Sequence, residues 1–233
     1  MLGIVKLLRR LLGVLFLASG SLQAASLQAE LVDGQGQPLA NAVLTLQSET
    51  VAGPPADQDV MDQRDKQFAP YVLAVRTGTP VSFPNSDNIR HQVYSFSPAK
   101  HFELRLYKGT PSQPVVFDKP GVVVLGCNIH DWMLGYVYVT DDPWYAVSDA
   151  GGRLRLNLPP GRYRVSLWHP QVANLLPVTV GDLQVPAAGL QQRLALSLQA
   201  PAAKQPHEPE EYEYEHGEDH DEEHGESAHE TEK

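Results

Sequence analysis

Gly126-Cys127-Asn128-Ile129-His130-Asp131-Trp132-Met133 carries the chain's only cysteine, a histidine three residues later and a methionine three beyond that. A thiolate, an imidazole and a thioether on one short loop are soft and borderline donors of the kind that hold copper. A second imidazole would complete a trigonal His₂Cys set with a weak axial methionine, the arrangement used for one-electron transfer. The best source of that imidazole is His91, in Asn88-Ile89-Arg90-His91-Gln92-Val93-Tyr94. The flanks agree with a loop between strands. Val122-Val123-Val124-Leu125 leads into the cysteine, and Gly135-Tyr136-Val137-Tyr138-Val139 leads away from Met133. Both runs are rich in β-branched and aromatic residues.

With these residues in view, the segment from about Met61 to Thr140 resembles the cupredoxins, the type 1 (blue) copper fold. The Cys-x₂-His-x₂-Met spacing resembles the short loop of amicyanin more than the longer loop of plastocyanin. Taken with its C-terminal domain, the chain is similar to proteins labelled methylamine-utilisation proteins. The resemblance implies that His91, Cys127, His130 and Met133 are copper ligands. Two positions depart from the family pattern. Gln92 stands where Asn often ties two loops together, and Asp131 stands where short-loop members often have Pro. The four donors must also converge, with the His91 ring within about 6 Å of the Cys127 sulfur, given bonds of roughly 2 Å. His101 and His169 are assigned to no metal, His101 being expected on a surface loop and His169 at the end of a later strand.

Upstream, Met1 to Ala24 reads as a secretory signal. Lys6, Arg9 and Arg10 precede the apolar run Leu11–Ala18, with cleavage after Ala24 or Ala25. That run is short for a transmembrane helix, so a periplasmic location with no stable membrane span after cleavage is expected; an uncleaved anchor is the minority reading, since Ile4, Val5, Leu7 and Leu8 extend the hydrophobicity. A lone cysteine in an oxidising compartment needs a role other than an intrachain disulfide, and metal ligation supplies one.

The remaining pattern is strand-like, and the expected class is all-β: a Greek-key cupredoxin sandwich or barrel and, after it, a smaller sandwich. Residues 26–140 are assigned to the first domain. Within it, 26–48 reads as a hairpin through Asp33-Gly34-Gln35-Gly36, able to pack on either domain. Asp141-Asp142-Pro143 marks a boundary. Residues 141–199 then read as a meander that resembles carboxypeptidase-regulatory or transthyretin-like sandwiches. Arg153, Arg155, Arg162 and Arg164 alternate with apolar residues as a solvated face. Asn85 and Asp87, just before His91, suit turn chemistry, or hydrogen bonds that fix the ligand loops.

From Gln205 the composition turns polar, and residues 200–233 are expected to be a disordered tail. Thirteen of the last 29 residues are Asp or Glu, and His207, His216, His220, His224 and His229 lie among them. Setting aside the leader (+3) and these last 29 residues (−12), the formal charge of −10 leaves the body near −1. The tail reads as a solubiliser or as a loose metal-capturing segment.

Four protein donors leave no position for a substrate, so an electron carrier rather than an enzyme is expected. In the family the loop histidine passes the electron, which gives His130 that role. Ile129, Trp132 and Leu134 are nearby candidates for the docking patch, although Leu134 reads better as core. The implied partner is a redox protein such as a cytochrome or dehydrogenase, met transiently; no nucleic acid is implied. Two alternatives stand beside this: copper delivery loaded by the His-rich tail, and a non-catalytic accessory module of a redox complex.

Overall fold

The computed structural model describes residues 25–48 and 57–199. The expected leader, the His-rich tail and most of the 52–57 loop lie outside the described residues. The described chain is all-β, as expected, with a single 3₁₀ turn at Ala173–Leu175. Strands β1 (Ala25–Val32) and β2 (Val43–Gln47) open it. Then come β3 (Asp59–Val60), β4 (Asp62–Arg64), β5 (Gln67–Ala69), β6 (Val72–Arg76) and β7 (Thr79–Ser82). Next are β8 (His91–Ser97), β9 (Lys100–Tyr107), β10 (Val115–Phe117), β11 (Gly121–Gly126) and β12 (Leu134–Thr140). The last five are β13 (Trp144–Val147), β14 (Arg153–Leu158), β15 (Gly161–Trp168), β16 (Val178–Val185) and β17 (Leu190–Ala195).

The middle of the chain builds one sandwich. A five-stranded sheet, ordered β6-β12-β11-β8-β9, faces a three-stranded sheet ordered β10-β7-β3. Val81, Phe83 and Phe117 from one side meet Val93, Val123, Leu125, Val137 and Val139 from the other in a single buried cluster. Cys127 and Met133 belong to that same cluster.

The two ends of the chain build a second sandwich together. Its sheets are β14-β1-β17 and β13-β2-β15-β16. The first strands therefore pack with the C-terminal strands, which settles a choice the sequence left open. They do not form a hairpin. The 33–37 turn closes on itself, with Gly36 N–H donating to Asp33 O at 3.0 Å and the Asp33 side chain accepting from Gln35 and Gln37. The chain then crosses to the other sheet, where β2 runs between β13 and β15. The expected C-terminal meander is corrected in the same way. β13, β14 and β15 alternate between the sheets instead of pairing in succession.

β12 explains how the two sandwiches join. A half-exposed strand alternates buried and exposed residues; a strand covered on both faces does not. From Gly135 to Thr140 every residue of β12 is buried. Val137 and Val139 point into the first core, and Tyr136 and Tyr138 into the second. Trp168, fully buried on β15, receives both tyrosine rings, at centroid distances of 5.8 and 5.2 Å. Among the described residues no helix is long and apolar enough to cross a membrane.

Candidate metal centre

β11 and β12 are antiparallel, and their last pair, Gly126 with Leu134, closes the base of the 127–133 loop. Within the loop, Met133 N–H donates to His130 O at 2.9 Å, a turn that directs Met133 back inward. Cys127 and Met133 are both buried. β8 arrives at the same end, with Tyr94 paired to Gly126. Its first residue, His91, is fully buried.

The structure brings three of the four candidate donors together directly. One nitrogen each of His91 and His130 and the Cys127 sulfur lie within 4.8 Å of one another. His91 Nδ1 is 4.0 Å from Cys127 Sγ, and the two imidazole centroids are 4.9 Å apart. Metal bonds of about 2.0–2.3 Å span donors roughly 3.3–4.6 Å apart, so these three need only close slightly onto one ion. Met133 packs in the core cluster that holds Cys127.

His130 Nδ1 supplies the test of fit. It is buried, and it has no hydrogen-bond partner. A buried polar atom without a partner is costly unless something else satisfies it. Here it lies with a thiol and a second imidazole, and a cation of borderline softness suits that donor set. Burial first, then the neighbouring His91 and Lys66, hold the His130 imidazole below its ordinary pKa despite Asp87 nearby. The ring therefore stays neutral and able to donate its lone pair to a cation.

Behind the donors lies a hydrogen-bonded loop. His91 Nε2 meets Asp87 Oδ2 at 2.7 Å. Asp87 also accepts from the backbone N–H groups of Asp65 and Lys66, at 2.8 and 2.9 Å. Burial would raise its carboxyl, but the bonds from Lys66, His91 and Asp65 outweigh this and hold it below the usual carboxylate value. Asn85 completes the turn. Its Oδ1 accepts from Asp87 N–H, and its Nδ2 donates to Ile89 O and Tyr107 O. Asn85 and Asp87 thus act both as turn residues and as supports for the His91 loop. The Gln92 side chain donates to Glu103 Oε1 on β9 at 2.7 Å. Asp131 is exposed.

Around the donors, Ile129 (47 % exposed), Trp132 (67 %) and Leu134 (40 %) all reach solvent, so the core expectation for Leu134 is corrected. Leu134 opens β12 at the rim, before the strand enters the core. The Trp132 ring lies 5.2 Å from that of His130. His101 is not on a loop but on β9, where it packs edge-on against the exposed Phe96. His169 comes directly after β15 in the other sandwich. Neither joins the cluster. The four arginines do not share a face: Arg153 and Arg155 lie on one sheet of the second sandwich, Arg162 and Arg164 on the other.

No family model matches the sequence, and no curated protein does. Among solved structures, the chain is similar to a purple cupredoxin from Nitrosopumilus maritimus. That match has 22 % identity and a TM-score of 0.32, over 35 % of this chain and 99 % of that one. It is also similar to a mutant of amicyanin in its Cu(I) form, at 22 % identity and a TM-score of 0.32, over 42 % of this chain and 98 % of that one. A third similar structure is a copper-containing nitrite reductase from Thermus scotoductus, at 25 % identity and a TM-score of 0.34. That match covers 48 % of this chain but only 28 % of the reductase.

Proposed function

We propose that residues 57–140 form a cupredoxin domain with a type 1 copper site, and that the protein carries single electrons in the periplasm. The observation that carries this is the meeting of His91, Cys127 and His130 within 4.8 Å, at the strand end where Met133 is buried. Copper held there would supply one-electron cycling between Cu(I) and Cu(II). The chain's residues do the rest. Cys127 would provide the thiolate, His91 and His130 the two imidazoles, and Met133 a thioether. The loop and three strands hold these donors in one geometry, so a change of charge on an ion held there would need little rearrangement. Four protein donors fill the coordination positions and leave none for a substrate, which favours carriage over catalysis.

His130, beside exposed Trp132 and Ile129, is the donor nearest solvent and the proposed exit for the electron. Small apolar patches of this kind suit brief encounters with a redox protein such as a cytochrome or dehydrogenase. Export rests on the leader-like sequence at 1–24. Copper delivery is the second reading, favoured by the five histidines of the tail. Deleting the tail separates the two: a carrier keeps its redox activity, whereas a delivery protein loses copper loading at limiting metal.

The deciding experiment is copper titration monitored by visible and EPR spectra. An intense thiolate-to-copper band with narrow hyperfine splitting is the expected result. Cys127→Ser should abolish that band and His101→Ala should leave it. A titration with no thiolate band, or a band that survives Cys127→Ser, would reject the proposal.

A further inference from the structure

The β4–β5 hairpin, well before the ligands in sequence, reaches the metal end of the sandwich. Arg64 pairs with Gln67, and the two residues between them, Asp65 and Lys66, have positive φ of 53° and 55°. Two successive left-handed residues make the primed turn that suits a two-residue hairpin. In this turn both tip N–H groups are aimed at one carboxylate, that of Asp87. Asp87 Oδ1 takes the Asp65 N–H, while Oδ2 takes the Lys66 N–H and also meets His91 Nε2. Its oxygens are thus held from two separate parts of the chain.

This arrangement selects one form of His91. A carboxylate held by two main-chain donors is an acceptor, so His91 Nε2 carries the proton and donates it to Asp87. Nδ1 is then the bare nitrogen, and Nδ1 is the one 4.0 Å from the Cys127 sulfur. A negative charge one ring away would also favour the more positive of two charge states of a cation held there.

Resting on the copper reading above, we infer that Asp87 is the positioning residue that fixes the His91 tautomer and lowers the reduction potential of the site, and that the tip of the β4–β5 hairpin holds Asp87 in that role. Asp87 touches no metal; it acts through His91.

The test uses the full chain with Asp87→Asn and Asp87→Glu. In metal-free protein, nitrogen-resolved NMR of the imidazoles should show wild-type His91 as a single form protonated at Nε2, and Asp87→Asn as a mixture. In the copper-loaded protein, Asp87→Asn should lower Cu(II) affinity by about 10–100-fold, the range for losing such a partner. Cu(I) affinity should fall less, and the potential should rise by about 59 mV for each tenfold difference between the two. Asp87→Glu keeps the charge and should restore most of both effects. A wild-type His91 protonated at Nδ1 overturns the inference. So does an Asp87→Asn protein that keeps one Nε2–H form. The metal-free measurement decides the tautomer even if no copper band forms, so failure of the copper reading and failure of this inference are told apart.

Discussion

The ring of Tyr94 occupies the space that a side chain at Gly126 would need: a Cβ there would lie 2.7 Å from the ring's Cζ and hydroxyl oxygen. Tyr94 and Gly126 are also register partners across β8 and β11. The glycine lets the ring seal the backbone one residue before Cys127. Gly126→Ala must displace either the ring or the strand, and overpacking of this sort costs about 1–3 kcal/mol. The expected outcome is a lower thermal midpoint together with a shifted thiolate-to-copper band. An unchanged band at reduced stability would mean that the strain relaxes away from Cys127.

Met133→Leu keeps the buried volume and removes the sulfur. As a near volume-conserving change it should cost less than about 1.5 kcal/mol in denaturant unfolding. If copper is held as proposed, its chemistry should change more than the fold does, because a weak axial donor tunes the potential. Voltammetry should find a raised potential, since the oxidised ion loses a donor. A potential equal to wild type would place the Met133 sulfur outside the metal's reach.

Trp168 is the joint between the two sandwiches. It is fully buried, its indole N–H donates to Leu175 O at 3.0 Å, and the Tyr136 and Tyr138 rings pack on it. Trp168→Ala should cost about 3–5 kcal/mol. Trp168→Phe should cost about 1–3 kcal/mol, mostly through the carbonyl left without its donor. Urea unfolding of the two variants measures both. A loss under about 1 kcal/mol for Trp168→Ala, well below the usual core truncation, would show that the tyrosines do not depend on it.

His169 gives the second sandwich a pH dependence. Burial holds its imidazole below the ordinary 6.5, although a bond to the Ala40 backbone opposes this. Its Nδ1 accepts from Gln171 N–H at 3.2 Å, a bond that a proton on that nitrogen would break. Below about 6.5 the unfolded chain takes up a proton that the folded chain refuses until its own lower value is reached. Stability should therefore fall as pH drops through that window and stay level above it. His169→Gln should flatten the difference when melts of the two proteins are compared from about pH 7.5 to 5, a range that brackets the ordinary imidazole value. Parallel pH curves would dismiss the effect.

The candidate site is readable in the sequence because its proposed donors are clustered. Three of them sit within seven residues on one loop, and the strand-forming runs on either side define its base. The class is readable from the same runs. Sheet membership is not. Alternating apolar residues mark β1 and β2 as strands, but which sheet each joins depends on partners more than a hundred residues away, as Ala29 with Leu154 and Leu44 with Leu167. Tyr136 and Tyr138 can be read as part of a strand, though nothing local says that a tryptophan from another sandwich covers them. Asp87 is visible as a turn former, whereas its bonds to residues 65 and 66 come from a hairpin that only the fold brings near. Leu134 departs from its core expectation because an apolar residue at a strand start looks the same whether it lies at the rim or inside.

The chain leaves the second sandwich after β2 and re-enters it at β13, and these strands lie side by side, Leu46 against Trp144. The copper-binding candidate is thus a guest module with its entry and exit stitched together at one seam. A guest moored by two adjacent strands, and wedged by Trp168, lacks the swivel of domains strung on one linker. The face around His130 would be presented at a set bearing to anything that grips the host sandwich. A partner that bound the host would find the proposed electron port already aimed.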